Sequence, residues 1–477
     1  MQQAIRQQTL YWIAVVFVLF PVLIVLGIYM RTVQAGGLPG LEHWFYQMMT
    51  LHGLGMAGLW YVASMACVAN VLAKYVAPSP AIGRFALAGT VIGIVVLMAA
   101  VFAGRFGAGW YFLYPLPFQG DWPLWSAVLF LVSLTVLGVT WLVWTLDLLR
   151  AISSRYTLGQ ALGWHIIAGR SEPALPPAIL ITTVGLIASV AALVAGVAVI
   201  ALFFYELATG AATDALLMKN LIFFFGHTIV NLAMYLGVAL VYEVLPEYAG
   251  RPWKTSSVVA IAWNTVLLIV LFAYFHHLYM DFVQPGVLQY IGQIASYASA
   301  IPSAVVTIFG ALLLVYRAQM RWNLTSILFF LGLVGWAVGG MGAVIDSTII
   351  ANVRLHNTLW VPAHFHTYMV AGLVFLIVGY FHHVCRAAAG ATERAGYHKL
   401  LAALMMVGAY GFFFMFYLSG AYSVPRRFAF YPAELSHGAL YSAIGAVFAT
   451  VFLVGFLLAV AETGRHWLRA LAQERAS

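Results

Sequence analysis

The chain has 477 residues, of which only 8% are charged and 64% are hydrophobic. Soluble domains contain about 25% charged residues, and a soluble fold of this composition could not hide so much apolar surface from water. The composition therefore excludes a cytosolic enzyme, a secreted disulfide scaffold and a disordered chain, and it predicts a polytopic membrane protein.

Twelve apolar segments, each long enough to cross a bilayer, follow one another along the chain. These predicted spans 1 to 12 cover residues 10–29, 47–73, 85–104, 125–147, 177–205, 219–243, 257–277, 289–316, 323–345, 357–385, 399–420 and 438–461. The connections are too short to hold a soluble domain, so the sequence predicts an all-α fold in one transmembrane domain over residues 1–477. No small-residue cleavage site follows span 1, so we expect it to be a retained helix and not a signal peptide.

Lys and Arg are distributed unevenly between the two ends of these spans. With the N-terminus placed in the cytoplasm, 16 of the 22 basic residues fall on the cytoplasmic side and six fall outside. Cytoplasmic loops carry an excess of Lys and Arg, so we expect both termini to be cytoplasmic. The net charge of +8 thus reflects topology and contact with anionic lipid, and we expect no nucleic-acid partner.

Six histidines lie toward the outer ends of four different spans under this topology. They are His52 in span 2, His227 in span 6, His276 and His277 in span 7, and His364 and His366 in span 10. Ionisable groups inside a membrane are costly and usually functional. Imidazoles at one depth on four helices indicate a shared buried metal or haem assembly. The competing interpretation is a set of packing histidines bonded to main-chain carbonyls.

The spacing of these histidines separates two kinds of ligand. His364 and His366 are two residues apart, so on a regular helix they point about 200° apart and serve two different cofactors. The adjacent pair His276 and His277 can reach one metal only where the helix ends or unwinds, with His227 as the third ligand. Three imidazoles suit copper or iron with open positions for a diatomic ligand.

A second adjacent pair, His382 and His383, lies at the inner edge of span 10 beside Arg386. A His-His pair alone is weak evidence for a metal site, and a basic neighbour at the membrane edge is typical of a hydrated surface. We therefore predict a solvated interfacial cluster there.

The motifs around the six histidines resemble subunit I of the haem-copper oxidoreductase superfamily, across nearly the whole chain. They are Leu51-His52-Gly53, Gly226-His227, Phe275-His276-His277, and the run from His356-Asn357-Thr358 through Trp360-Val361-Pro362 to His364-Phe365-His366. The segments Gly339 to Ala343 and Val424-Pro425-Arg426-Arg427 are most similar to the B-type branch. The resemblance implies the haem-copper oxidase subunit I fold and a single transmembrane catalytic domain.

The resemblance also implies a role for each motif residue. The axial ligands of a low-spin haem would be His52 and His366, and the axial ligand of a high-spin haem would be His364. The non-haem metal would be held by His227, His276 and His277, and the haem propionates by Arg426, Arg427 and His356. Haem b is expected at both positions, although the same ligands serve haems a and o. The non-haem metal stays open between iron and copper.

One departure from the family pattern bears on the reaction. B-type oxygen reductases carry a tyrosine four residues after the histidine of span 6, which supplies an electron and a proton when O2 is cleaved. Here that position is Asn231, and Val270 occupies the corresponding position of another branch. An amide cannot donate an electron, whereas reduction of NO to N2O needs only two. The chain therefore resembles the divergent nitric oxide reductases with asparagine at this site.

The sequence leaves three alternatives to a nitric oxide reductase. A B-type terminal oxygen reductase would share the fold and all six histidines. A twelve-helix secondary transporter would require an internal repeat and broken midplane helices, and the sequence shows neither. A haem-binding sensor or assembly protein would need the cofactors but no turnover.

Protons and electrons must both reach such a site. Tyr242 and Ser303 keep part of the family's single proton path, with Thr307 and Glu243 as possible substitutes, but the path is incomplete. The chain has no copper-thiolate or c-haem motif of its own, so the resemblance implies a membrane-anchored donor subunit, either a copper-A cupredoxin-like protein or a cytochrome c. The expected location is a bacterial cytoplasmic membrane.

Overall fold

The computed structural model describes residues 2–389 and 394–476. Within them, twelve helices are long and apolar enough to cross a membrane. They are α1 Gln2–Gln34, α2 Glu42–Leu72, α3 Pro80–Ala103, α4 Leu124–Ser153, α5 Pro177–Thr209, α6 Ala215–Ala249, α7 Ser257–Leu278, α8 Val287–Val315, α9 Leu324–Asp346, α10 Trp360–Ala387, α11 Gly396–Ala421 and α12 Ala433–Gln473. Each predicted span coincides with one of these helices, so the all-α, twelve-helix prediction is confirmed.

Several helices extend beyond the apolar segments that identified them. The largest difference is at α12, which was predicted to end at residue 461 and continues to Gln473. Hydropathy marks only the part of a helix that crosses lipid, whereas main-chain hydrogen bonds continue through a polar amphipathic sequence. Three short helices, Leu158–Ala161, Trp164–Ile167 and Ile349–Leu355, lie in the connections. The described residues contain no strand, only an isolated bridge between Thr358 and Pro425.

Polar side chains cap the N-terminal ends of several helices. The side chains of Ser79, Asp214 and Ser256 accept hydrogen bonds from main-chain N–H groups in the first turns of α3, α6 and α7. Asn323 forms a reciprocal capping box with Ser326 at the start of α9. These contacts satisfy N–H groups that have no partner inside the helix.

The centre of the bundle is α10. Its most apolar window is 94% buried, compared with 67% for α2 and 61% for α6, while the windows of α1, α8 and α12 are only 22–28% buried and face lipid. Three of the four helices that carry predicted ligands, α2, α6 and α10, are thus the most buried of the twelve, whereas the window of α7 is 44% buried.

Small residues allow α9 to approach α10 closely. A Cβ atom added at Gly335 would lie 2.3 Å from the main chain of Ala371, and one added at Gly339 would lie 2.6 Å from that of Tyr368. Glycine at such positions is characteristic of helix contacts in membranes, where close packing replaces the hydrophobic effect. Opposite these glycines, α10 is π-helical over Thr367–Val374.

Candidate functional site

His52 of α2 and His366 of α10 face each other across a gap that a metal can fill. Their ring centroids are 6.2 Å apart and the ring planes differ by 23°. Nδ1 of His52 is 2.8 Å from the carbonyl oxygen of Leu23, and Nδ1 of His366 is 2.7 Å from that of Pro362. Because Nδ1 donates its proton in each ring, each Nε2 keeps its lone pair, which is the usual state of a metal-binding imidazole.

The separation of the two rings agrees with a shared metal. Metal–imidazole bonds are about 2.0–2.1 Å long, which places the centroids of two facing imidazoles roughly 6 Å apart. Phe416 stacks on the outer side of His366, with ring centroids 5.2 Å apart. The two histidines therefore fit the axial ligand set of a six-coordinate haem.

Arg31 lies next to this pair, and no motif in the sequence marks it as part of the site. It is 7% exposed, donates to Gln34 over 2.6 Å, and lies 4.5 Å from the ring centroid of Phe416. A buried guanidinium requires compensation. Its position near the start of a loop gave no sign that it would turn inward.

His364 lies on the opposite side of α10 from His366. Its Nδ1 is 3.4 Å from the carbonyl oxygen of Gly339, and its Cβ lies 3.2 Å from the position of a Cβ added at Gly342. The imidazole is close enough to interact electrostatically with His227 and His276. The structure thus places His364 toward α6 and α7, whereas His366 is turned toward α2.

His227, His276 and His277 form a compact group of three imidazoles. One nitrogen from each ring lies within 4.8 Å of the other two, and Nδ1 of His227 is 3.2 Å from Nε2 of His277. The adjacent pair converges because α7 changes from an α-helix to a 3-10 helix at Tyr274–Leu278. Nδ1 of His276 is 3.0 Å from the Ser296 hydroxyl, which leaves Nε2 for a metal. Nitrogen donors of this number and spacing fit one copper or iron ion.

Asn231 is in direct contact with this group. Its Nδ2 is 2.9 Å from Nε2 of His227 and donates to the main-chain oxygen of the same residue over 3.1 Å. Its Oδ1 accepts a hydrogen bond of 3.0 Å from the hydroxyl of Tyr368. Sequence reasoning missed Tyr368, although it follows His364 by four residues and so lies about one turn further along α10.

Arg426 and Arg427 lie between α11 and α12, beside the connection that precedes α10. Arg426 donates to Oδ1 of Asn357 over 2.9 Å, and Arg427 lies 3.5 Å from the ring centroid of Tyr111. Burial, and then the adjacent charge of Arg427, lowers the pKa of Arg426 to about 9. Burial lowers the pKa of His356 to about 4, and the positive charge of Arg426 adds to this effect. This concentration of partly buried positive charge fits carboxylate groups such as haem propionates.

The proposed proton-path residues are brought together only in part. The hydroxyls of Tyr242 and Thr307 are 3.0 Å apart and both residues are buried. Ser303 instead bonds to main-chain oxygens of its own helix. Glu243 instead turns toward the C-terminal end of α2, where Lys74 Nζ is 3.0 Å from its carboxylate and the Tyr75 hydroxyl donates to it.

The prediction of a solvated cluster at His382 and His383 is wrong. His382 is fully buried, with Nδ1 3.3 Å from the Thr463 hydroxyl, and His383 is 3.0 Å from the hydroxyl of Tyr248. The reason is the length of α12, whose extension beyond residue 461 covers the inner end of α10. His398 and Glu462 pack in the same region, with Nε2 and Oε1 3.4 Å apart.

Comparison with known proteins agrees with this arrangement. The model of the family "Cytochrome C and Quinol oxidase polypeptide I" matches residues 7–452. Cytochrome c oxidase subunit 1 of Synechocystis is 24% identical over 430 residues, which cover 87% of this chain and 75% of that protein. The subunit 1 of Thermus thermophilus is 25% identical over 51% of this chain and 47% of its own length.

A solved structure has the same fold. One chain of a haem-copper terminal oxidase dimer, determined by cryo-electron microscopy, is similar to this chain with a TM-score of 0.78 and 22% sequence identity. The match covers 98% of this chain and 84% of that chain. The family implies haems and a further metal, for which the histidine geometry is suited. With the family match extending over most of its length, this multi-pass membrane chain belongs to the haem-copper oxidase subunit I family of oxidoreductases.

Proposed function

We propose that this chain is the catalytic subunit of a respiratory nitric oxide reductase, which converts 2 NO + 2 e⁻ + 2 H⁺ to N2O + H2O. The observation that carries the proposal is Asn231, which touches His227 at the position of the tyrosine in oxygen reductases. An amide donates hydrogen bonds but supplies no electron, and the two-electron reaction requires none from the protein.

Each histidine then has a distinct role. His52 and His366 would hold the low-spin haem, His364 would hold the high-spin haem, and the other three would hold non-haem iron or copper. When bound at these residues, the cofactors would supply the two electrons that the reaction needs. The chain itself supplies the position of each ligand, a water-poor site and the hydrogen bonds of Asn231.

An apolar cavity provides a route for a gaseous substrate. It has a volume of about 250 Å³, is lined mainly by apolar side chains from α1 to α6, and includes Gly226 and Val230, which lie close to His227 in the sequence. NO and O2 are both small and apolar, so the cavity is compatible with either gas.

Reduction of O2 to water is the second candidate, and the names of the relatives favour it. The matched proteins named above are called cytochrome c oxidase subunit 1. The tyrosine absent at position 231 also has a neighbour that could replace it, because Tyr368 reaches Asn231 from α10. A tyrosine so close to the metal ligands is the specific observation that supports oxygen chemistry.

One experiment separates the two reactions. The chain, purified with its donor subunit, is reduced without air, and the consumption of NO and of O2 is followed in the same electrode chamber. We expect rapid loss of NO with formation of N2O, and slow O2 consumption. Rapid four-electron reduction of O2 with little NO turnover would overturn the proposal in favour of a terminal oxidase.

We further propose propionate ligands, a donor subunit and a membrane orientation for this chain. Arg426, Arg427 and His356 would bind the haem propionates, and a membrane-anchored copper-A or cytochrome c subunit would dock nearby to deliver electrons. We place the chain in a bacterial cytoplasmic membrane as one transmembrane catalytic domain with both termini inside. The substrate is a small gas, and the surrounding medium is the lipid bilayer.

Proton delivery gives a further testable prediction. If protons pass between the hydroxyls of Tyr242 and Thr307, Tyr242→Phe should lower the turnover number about fivefold. One hydrogen bond of about 1 kcal/mol, lost from the transition state, has this effect when 1.36 kcal/mol changes a rate tenfold. Turnover with excess electron donor measures this effect. Ser303→Ala is the matched control, because its hydroxyl bonds only to main-chain oxygens of α8. Unchanged turnover in Tyr242→Phe would exclude this route.

A further inference from the structure

We propose that Tyr368 is a positioning residue, which holds Asn231 against His227 and so orients the imidazole of α6 for the non-haem metal. The proposal rests on the proposed function only in assigning a metal to His227, His276 and His277, and it is independent of which gas is reduced. It connects α10, which carries two of the three proposed haem ligands, with α6, which carries one ligand of the other metal.

The contacts form a continuous chain between the two helices. The Tyr368 hydroxyl donates to Oδ1 of Asn231 over 3.0 Å, and Nδ2 of Asn231 is 2.9 Å from Nε2 of His227. Nδ1 of His227 lies on the other side of the ring, 3.2 Å from Nε2 of His277. The nitrogen that faces the metal group and the nitrogen that faces the amide are therefore different, so Asn231 can act without blocking a ligand position.

The backbone holds Tyr368 in a fixed place. Its side chain is 7% exposed, and its main chain is so close to α9 that a Cβ at Gly339 would lie 2.6 Å from both its N and its Cα. It also lies within the π-helical segment of α10, and such segments often occur at functional sites. Tyr368 is thus a rigid anchor for Asn231. Without this contact, the amide of Asn231 would be free of its hydrogen bond to α10.

The donor and acceptor pattern explains why Asn231 requires a second partner. In the arrangement described, Nδ2 donates to the lone pair of Nε2. If His227 binds a metal through Nδ1, its Nε2 carries the proton, so the amide must present oxygen to it. Rotating the amide by half a turn achieves this but removes the hydrogen bond from Nδ2 to the main-chain oxygen of His227. Nδ2 then faces the Tyr368 hydroxyl, which accepts as well as it donates.

The contact with Tyr368 therefore survives in both orientations of the amide. The hydrogen bond to the main-chain oxygen of His227, by contrast, is lost when the amide rotates. Residues that orient a metal ligand in this way typically change metal affinity 10–100-fold when they are removed. The same order of effect is expected here.

The test measures metal retention and needs no turnover. Purified holoenzyme, Tyr368→Phe, Asn231→Leu and the double variant are titrated with a metal chelator without NO or O2, and the non-haem metal and both haems are quantified. We expect Tyr368→Phe to release the non-haem metal at a chelator concentration about 10–100-fold lower than the unmodified protein, with haem content unchanged. Tyr61→Phe is the matched control, since it removes a buried hydroxyl that bonds to Thr145.

The double variant separates positioning from general packing. If Tyr368 acts through Asn231, Tyr368→Phe adds nothing to the loss caused by Asn231→Leu. Equal metal retention in Tyr368→Phe and the unmodified protein would overturn the proposal, as would additive losses or a parallel loss of haem. If only the proposed function is wrong, the unmodified enzyme reduces O2 instead of NO, while the variants still lose the non-haem metal as expected.

Discussion

Replacing His276 with leucine is expected to abolish reduction of the gaseous substrate while both haems remain bound. His276 is buried, and its Nδ1 is held 3.0 Å from the Ser296 hydroxyl, so its loss removes one of the three nitrogen donors of the group. Metal ions supply several kcal/mol of transition-state stabilisation, and each 1.36 kcal/mol is a factor of ten, so turnover should fall at least about a thousandfold.

Steady-state turnover and metal analysis of the same sample measure this effect. The non-haem metal should be lost, whereas the haem spectrum should stay unchanged because His52, His364 and His366 are intact. His43→Leu provides the control, since it makes the same substitution at an exposed histidine outside the group. A His276→Leu enzyme that kept its non-haem metal and its turnover would show that the three imidazoles do not form the metal site.

The second large effect is expected from His52→Leu. The ring centroids of His52 and His366 are 6.2 Å apart. Loss of the His52 ring removes one of the two axial ligands proposed for the low-spin haem, and only His366 remains. We expect the haem content to fall from two to one per chain and donor-driven turnover to become undetectable. The cause is interrupted electron entry, because the low-spin haem is the proposed acceptor of electrons from the donor subunit.

Binding of carbon monoxide distinguishes this cause from misfolding. The high-spin haem would still be held by His364, so the reduced His52→Leu protein should bind carbon monoxide as the unmodified protein does. His165→Leu, which changes a histidine in a connecting segment that bonds to the carbonyl of Pro173, serves as the control. Retention of two haems with full turnover would remove His52 from the ligand set.

The sequence predicted the parts of the site that depend on local spacing. His364 and His366 lie on opposite sides of α10, as expected for helical residues two positions apart. The adjacent residues His276 and His277 converge where α7 tightens into a 3-10 helix. Apolar runs identified all twelve helices because a lipid-crossing helix must be apolar over most of its length. Helix ends were less certain, since a helix in water carries no such requirement.

The sequence did not reveal features that depend on contacts between distant helices. Tyr368 reaches Asn231 across 137 positions of the chain, and Arg31 turns inward from a position that resembles an ordinary membrane flank. The error at His382 has the same origin, because its burial depends on the packing of α12 against α10. The charged neighbour at Arg386 marked the membrane edge, but it gave no information on what covers that edge.

The central position of α10 also constrains how the protein is made. A newly inserted membrane helix is first surrounded by lipid, yet the most apolar window of α10 is 94% enclosed by protein in the finished bundle. Its two haem-ligand faces are closed off by α2 and Phe416 of α11 on one side and by α6, α7 and α9 on the other. Because the finished bundle encloses α10 in this way, we expect the proposed haems to be inserted during biogenesis, before the surrounding helices close.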